Sequence, residues 1–133
     1  MKSKLRLICL IAAGLIACLG VTACSGDLHN LDGYYLVGSM TNWDPNAALL
    51  IKDGQVNFTA SSSSDEFQFL PTLGSWNGQI NRAGMCSGSA PSGITIDTEG
   101  TDGNGKISGL TSGKEYKMKI ASVDGLIEVS IDQ

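Results

Sequence analysis

Two tryptophans, Trp43 and Trp76, sit in polar loops punctuated by glycine rather than in alternating apolar runs. A flat indole face is a platform for another ring, and the C–H-rich face of a pyranose is one such ring. A sugar's hydroxyls also lose water on docking, and Asn, Gln, Asp, Lys or Arg nearby can replace those bonds. Both tryptophans have such neighbours: Asn42, Asp44 and Asn46 beside Trp43, and Asn77, Gln79, Asn81 and Arg82 beside Trp76. The alternative is structural, with each indole closing an open end of a core.

Other chemistry finds fewer of the residues it needs. Nucleophilic catalysis of the Ser/His/Asp or Cys/His kind requires a positioned histidine. The single histidine, His29, lies in a polar stretch outside any predicted element. No cluster of Cys and His has zinc-ligand spacing. The string Asp102-Gly103-Asn104-Gly105-Lys106-Ile107-Ser108 resembles the middle of an EF-hand calcium loop. With Asp102 at the third loop position, however, Gly100 and Thr111 stand where the first aspartate and the bidentate glutamate belong. Asp-Gly and Asn-Gly turns explain the same string. Asp53 and Asp124 also precede glycine, and read as turn residues rather than as the paired carboxylates of a glycosidase. The expectation is a protein with no catalytic residues, no metal and no cofactor.

The elements that must position the tryptophans read as strands. Tyr34-Tyr35-Leu36-Val37 is aromatic and β-branched, and the Gly38-Ser39 corner after it leads to Asn42-Trp43-Asp44-Pro45. Residues 48–52 and 55–59 flank Asp53-Gly54, a strong hairpin signal, with Val56 and Phe58 on one face. Phe67 and Phe69 alternate with Gln68 before Pro71 closes that run, and Gln79 to Arg82 forms a short candidate strand. Residues 83–113 are rich in Gly, Ser and Thr, with candidate strands at Ile94-Thr95-Ile96 and Lys106-Ile107-Ser108. Tyr116, Met118 and Ile120 alternate against Lys117 and Lys119, and Asp124-Gly125 joins this run to Leu126–Ile131. No window beyond the first residues has helical apolar spacing. The pattern predicts an all-β sandwich of seven or eight short antiparallel strands.

The N-terminus reads as a targeting segment. Lys2, Lys4 and Arg6 precede an uncharged apolar run from Leu7 to Val21, which is short for a membrane span and suited to a signal peptide. It ends Val21-Thr22-Ala23-Cys24, similar to the bacterial lipobox, whose cysteine is lipidated after cleavage. The expected organisation is a lipoprotein signal over 1–23, a lipidated, palmitate-bearing tether over 24–32, and a β-sandwich over 33–133. Of the four cysteines, Cys9 and Cys18 would leave with the signal and Cys24 would carry a thioether. Cys86 is then expected to stand alone, with no internal disulfide. The whole chain carries 13 acidic and 9 basic residues, and losing Lys2, Lys4 and Arg6 shifts its formal charge from −4 to −7. That balance, without a Lys/Arg cluster, argues against nucleic acid as a partner.

The stretch Tyr35-Leu36-Val37-Gly38-Ser39-Met40-Thr41-Asn42-Trp43 resembles the start of the immunoglobulin-like glucan-binding modules. These include the glycogen-binding module of the AMP-activated kinase β subunit and the isoamylase N-terminal domain. It is closer still to the starch-binding outer-membrane lipoproteins of the bacterial starch-utilisation system. Phe67-Gln68-Phe69 and Trp76 match that family's second contact region, with Gln68 in place of the usual lysine and its charge-assisted bond. The likeness spans most of 33–132, although residues 83–113 hold no alignable motif. It implies an immunoglobulin-like (early-set) sandwich that binds α-glucan without catalysis, anchored through Cys24 in the outer membrane of a bacterial envelope. Trp43 and Trp76 would stack on glucose units while Gln68, Asn77 and Arg82 bond hydroxyls. The competing expectation is a structural or adaptor envelope lipoprotein that docks a protein partner by an edge strand or the glycine-rich loop.

Overall fold

A computed structural model of the chain describes residues 31–100 and 103–132. The signal region, Cys24, His29 and Asp102 lie outside them. The described residues form nine strands: β1 (Tyr35–Gly38), β2 (Leu49–Leu50), β3 (Gln55–Thr59), β4 (Ser64–Leu70), β5 (Met85–Ser87), β6 (Thr95–Asp97), β7 (Gly105–Ser108), β8 (Glu115–Val123) and β9 (Leu126–Asp132). Their helical content is three short 3-10 turns, Ser39–Thr41, Pro45–Ala47 and Arg82–Gly84. The strands make two sheets, one ordered β2-β1-β4-β7-β6 and the other β3-β8-β9-β5. The all-β sandwich expected from the alternation is what forms.

Alternation puts one side chain in two between the sheets. Leu36, Phe67, Phe69, Ile96 and Ile107 enter the core from the first sheet. Val56, Phe58, Tyr116, Met118, Ile120, Ile127, Val129 and Ile131 meet them from the second. Phe58 and Tyr116 are opposed in register and pack with ring centroids 5.9 Å apart. Tyr116 also anchors the preceding turn, its hydroxyl accepting the Thr111 amide at 2.8 Å. At the start of β4 the fully buried Asp65 carboxylate accepts the Ser61 amide at 2.9 Å and the Ser61 hydroxyl. A polar connection at Ser61–Ser64 is therefore also a cap for a buried charge.

Three expectations are corrected. Asp53-Gly54 does form a tight turn, with φ of 56° and 73°, and Lys52 and Gln55 exchange both backbone bonds across it. The hairpin stops there, because β2 continues on β1 while β3 continues on β8 in the other sheet. Not every pair is antiparallel: β5, which the Gly- and Ser-rich sequence hid, runs parallel to β9. The candidate strand at 79–82 shrinks to an Ile80 bridge with Phe69, followed by the 3-10 turn at Arg82.

Cys86 corrects the thiol reading as well. It is buried on β5 and is disulfide-bonded. The other cysteines, Cys9, Cys18 and Cys24, all lie outside the described residues. One sulfur cannot hold a disulfide and a thioether together, so a Cys24–Cys86 bond and lipidation of Cys24 exclude each other.

Gly38 sets how closely β1 meets β4. A Cβ at this position would stand 2.1 Å from the Glu66 carbonyl oxygen and 2.9 Å from the Phe67 Cα. Both obstacles are backbone and cannot rotate away. Gly38→Ala is expected to cost about 1–3 kcal/mol or more, as overpacking does. Gly113→Ala, where a Cβ meets nothing within 4 Å, is expected to cost less despite its φ of 84°. Urea denaturation of the two variants compares them directly.

Beside Cys86 and Ala121 in register, Glu128 has one carboxylate oxygen buried without a hydrogen-bond partner. Desolvation raises its pKa above the ordinary value of 4.5. The folded state then binds this proton more tightly than the unfolded chain. Its stabilising contribution is complete below pH 4.5 and is lost as pH rises through the folded value. Glu128→Gln is expected to remove that decline and to gain on the parent at neutral pH. Denaturation midpoints from about pH 4 to pH 8 read the difference.

Candidate functional site

The residues around Trp43 divide into those that build a corner and the one that the corner presents. Ser39 takes the place of a strand residue: its hydroxyl accepts the Glu66 amide at 3.0 Å. Thr41, buried, accepts the Gly38 amide at 3.1 Å and donates to the Gly38 carbonyl at 3.0 Å. The chain then turns through Asn42 and Trp43, with φ of 55° and 56°. Asparagine tolerates that left-handed conformation, but a bulky tryptophan adopts it at a cost. The Trp43 amide, donating to the Gly38 carbonyl at 2.8 Å, helps hold it there. Asp44 caps the next turn, accepting the Asn46 amide at 2.9 Å.

Trp76 stands on a closed excursion from β4. The loop leaves at Leu70 and returns at Ile80, which exchanges backbone bonds of 2.8 and 3.1 Å with Phe69. Its tip is tied to the Trp43 loop by the Gly74 amide, which donates to the Pro45 carbonyl at 2.9 Å. Gly74 suits that position because its φ of 81° lies in the left-handed region, whereas the Asn46 side-chain oxygen that a Cβ would meet at 2.6 Å is exposed and free to turn away.

These two loops bring the tryptophans together. Their ring centroids are 6.4 Å apart and their planes are inclined by 29°. That separation belongs to an offset pair, which leaves part of each face uncovered. Trp76 is 40% exposed and Trp43 is half-buried. Neither ring belongs to the core between the sheets. Asn42, Asp44, Asn46, Asn77 and Gln79 are all exposed in the same two loops. The arrangement can offer an apolar double face on loops that also expose carboxamides and one carboxylate. The sequence pointed to each tryptophan separately. Their pairing depends on the Gly74–Pro45 bond, for which the sequence carried no signal.

Gln68 and Arg82 are placed differently from the other expected site residues. Gln68 points away from the core, but it is only 8% exposed. Its amide nitrogen donates to Asn104 Oδ1 at 2.6 Å, and Asn104 Nδ2 donates in turn to Glu66 Oε1 at 2.9 Å. Gln68 Oε1 is buried with no partner. Arg82 donates through Nε to the Asn104 carbonyl and through Nη1 to the Glu99 carbonyl, both at 2.6 Å. Its guanidinium thus holds the loop between β6 and β7. Among the described residues, no group of three His, Cys, Asp or Glu side chains is placed to hold a metal.

Comparison with known protein families, curated proteins and solved structures returns no match for this chain.

Arg82 is therefore expected to matter for stability. Arg82→Ala removes two charge-assisted bonds to backbone carbonyls and should cost about 3 kcal/mol in urea denaturation. An unchanged midpoint would show the guanidinium to be dispensable to the loop.

Proposed function

We propose that this chain is a non-catalytic α-glucan-binding lipoprotein with an immunoglobulin-like (early-set) sandwich, held at the outer membrane of a bacterial envelope by lipidated Cys24. The observation that carries the reading is the Trp43–Trp76 pair, outside the core and carried on two loops that also expose carboxamides. Two indoles inclined by 29° suit a curved chain of rings better than a flat one. The resemblance of 35–43 and 67–76 to the starch-binding lipoproteins supports the same sugar class. In this reading Trp43 and Trp76 stack on adjacent glucose units, and Asn77 bonds a hydroxyl. Gln68, its Oε1 buried and its amide nitrogen bonded to Asn104, and Arg82 both fix the neighbouring loop rather than the sugar.

Two features support the immunoglobulin-like assignment. The adjacent order β3-β8-β9 resembles the C-F-G sheet of that fold, and the Tyr116 hydroxyl reaches back to Thr111 much as a tyrosine corner does. The other sheet departs from the A-B-E-D order, since β4 lies directly between β1 and β7. The anchor rests on the lipobox-like Val21-Thr22-Ala23-Cys24 alone, and it requires Cys86 to give up its disulfide on processing, because removal of Cys9 and Cys18 and lipidation of Cys24 leave no cysteine in this sequence to pair with it.

If stacking on sugar resembles stacking on nucleobases, two platforms supply roughly 2–6 kcal/mol. The dissociation constant then falls on the order of tens of micromolar to tens of millimolar. Many anchored copies holding one polysaccharide chain would compensate through avidity.

A second reading, docking of an envelope protein, draws on the exposed Leu73, three residues before Trp76. Retention of the full chain on insoluble starch separates the two. Trp76→Ala should abolish retention while leaving the unfolding midpoint within about 0.5 kcal/mol of the parent, and Leu73→Ala should leave retention intact. Starch binding that survives Trp76→Ala would remove the aromatic pair from the account.

A further inference from the structure

We propose a second small-ligand site, for a carboxylated sugar of the uronic acid class, in the groove where the chain crosses between the sheets. It does not rest on the α-glucan reading, because neither tryptophan lines it. The groove exists because β2 and β3 part after the single Lys52–Gln55 pair and join opposite sheets. Its volume is about 350 Å³, within the range of small-molecule sites. Leu50, Lys52, Asp53, Gln55, Asn57 and Lys117 line it, with Val56.

The charge distribution selects the ligand. Three of the other described cations are already engaged: Arg82 by two carbonyls, Lys119 by Asp132 at 3.4 Å, and Lys114 by the Tyr116 ring at 5.3 Å. Lys52 and Lys117 form no ion pair among the described residues, and both line this groove. Lys117 stands opposite Asn57 in register, so an ammonium and a carboxamide project side by side. Two ammonium groups against the single Asp53 carboxylate leave the lining of the groove net positive on a chain of formal charge −4, which favours a carboxylate there. Asp53 excludes a bare inorganic anion as the best fit, since its carboxylate would repel one. The same carboxylate accepts bonds from hydroxyls, as Gln55 and Asn57 can, and Leu50, 52% exposed, offers an apolar contact for a C–H face. A ligand with one carboxylate, several hydroxyls and an apolar ring face satisfies all of these groups together.

The test is a backbone amide NMR titration of the full chain in detergent micelles with D-glucuronate, with D-glucose and sodium acetate at equal ionic strength as controls. Saturable shifts confined to residues 50–57 and the amides around Lys117, seen with glucuronate only, are expected. Lys52→Gln and Lys117→Gln should each weaken the response about two- to fivefold. Lys106→Gln, outside the groove, and a Trp43→Ala/Trp76→Ala double variant should leave it unchanged. Equal shifts with acetate or glucose would overturn the proposal. So would a glucuronate response that persists in the Lys52→Gln/Lys117→Gln double variant, or no shift at all.

Discussion

The structure around the aromatic pair depends on one close approach, the packing of Gly38 against the backbone of β4. The Glu66 carbonyl and Phe67 Cα stand where any side chain at this position would begin. Because β1 and β4 meet so closely here, the Ser39 hydroxyl can bond the Glu66 amide, and Thr41 can close on Gly38 from the other side. The left-handed turn at Asn42-Trp43 follows from that closure. What reads as a recognition string is mostly construction. Gly38, Ser39, Thr41 and Asn42 make the corner, and Trp43 is what it presents.

The same economy runs through the second loop. Its base is fixed by Ile80 on Phe69, and its tip by Gly74 on Pro45. A loop held at both ends can set the angle between its indole and the neighbouring one without burying either in the core. The polar layer beneath has a different task. Gln68, Asn104, Glu66 and Arg82 bond to one another and to the β6–β7 loop, which stiffens the face on which the tryptophan loops stand. A residue type suited to bonding a sugar is equally suited to bonding a carbonyl, and local geometry decides which it does.

Much of the fold was legible because period-two alternation is a direct image of burial. Phe67 and Phe69, Val56 and Phe58, and the run from Tyr116 to Ile120 all face inward as their spacing implies. The turns at Asp53-Gly54 and Asp124-Gly125 were legible from their chemistry, and both have the positive φ that it demands. What a turn cannot reveal is whether its strands stay together, and those of Asp53-Gly54 part for opposite sheets. β5 was illegible because Met85-Cys86-Ser87 lies among Gly and Ser, and its parallel partner lies far along the chain, Met85 standing opposite Ile127. Cys86 was misread because elimination by expected processing left it alone, whereas it is disulfide-bonded. At the site, each tryptophan was visible in the sequence. Their pairing was not, nor was the internal engagement of Arg82, because both depend on contacts between distant loops.

The central claim is that Trp43 and Trp76 form one solvent-facing platform for an α-glucan. Intrinsic tryptophan fluorescence of the full chain, titrated with maltoheptaose and with a β-glucan of equal length, tests it most directly. Both indoles of the chain belong to the pair, so no other tryptophan contributes to the signal. The account predicts a saturable change with maltoheptaose and none with the β-glucan. Emission that ignores both sugars, or responds to them equally, would contradict it.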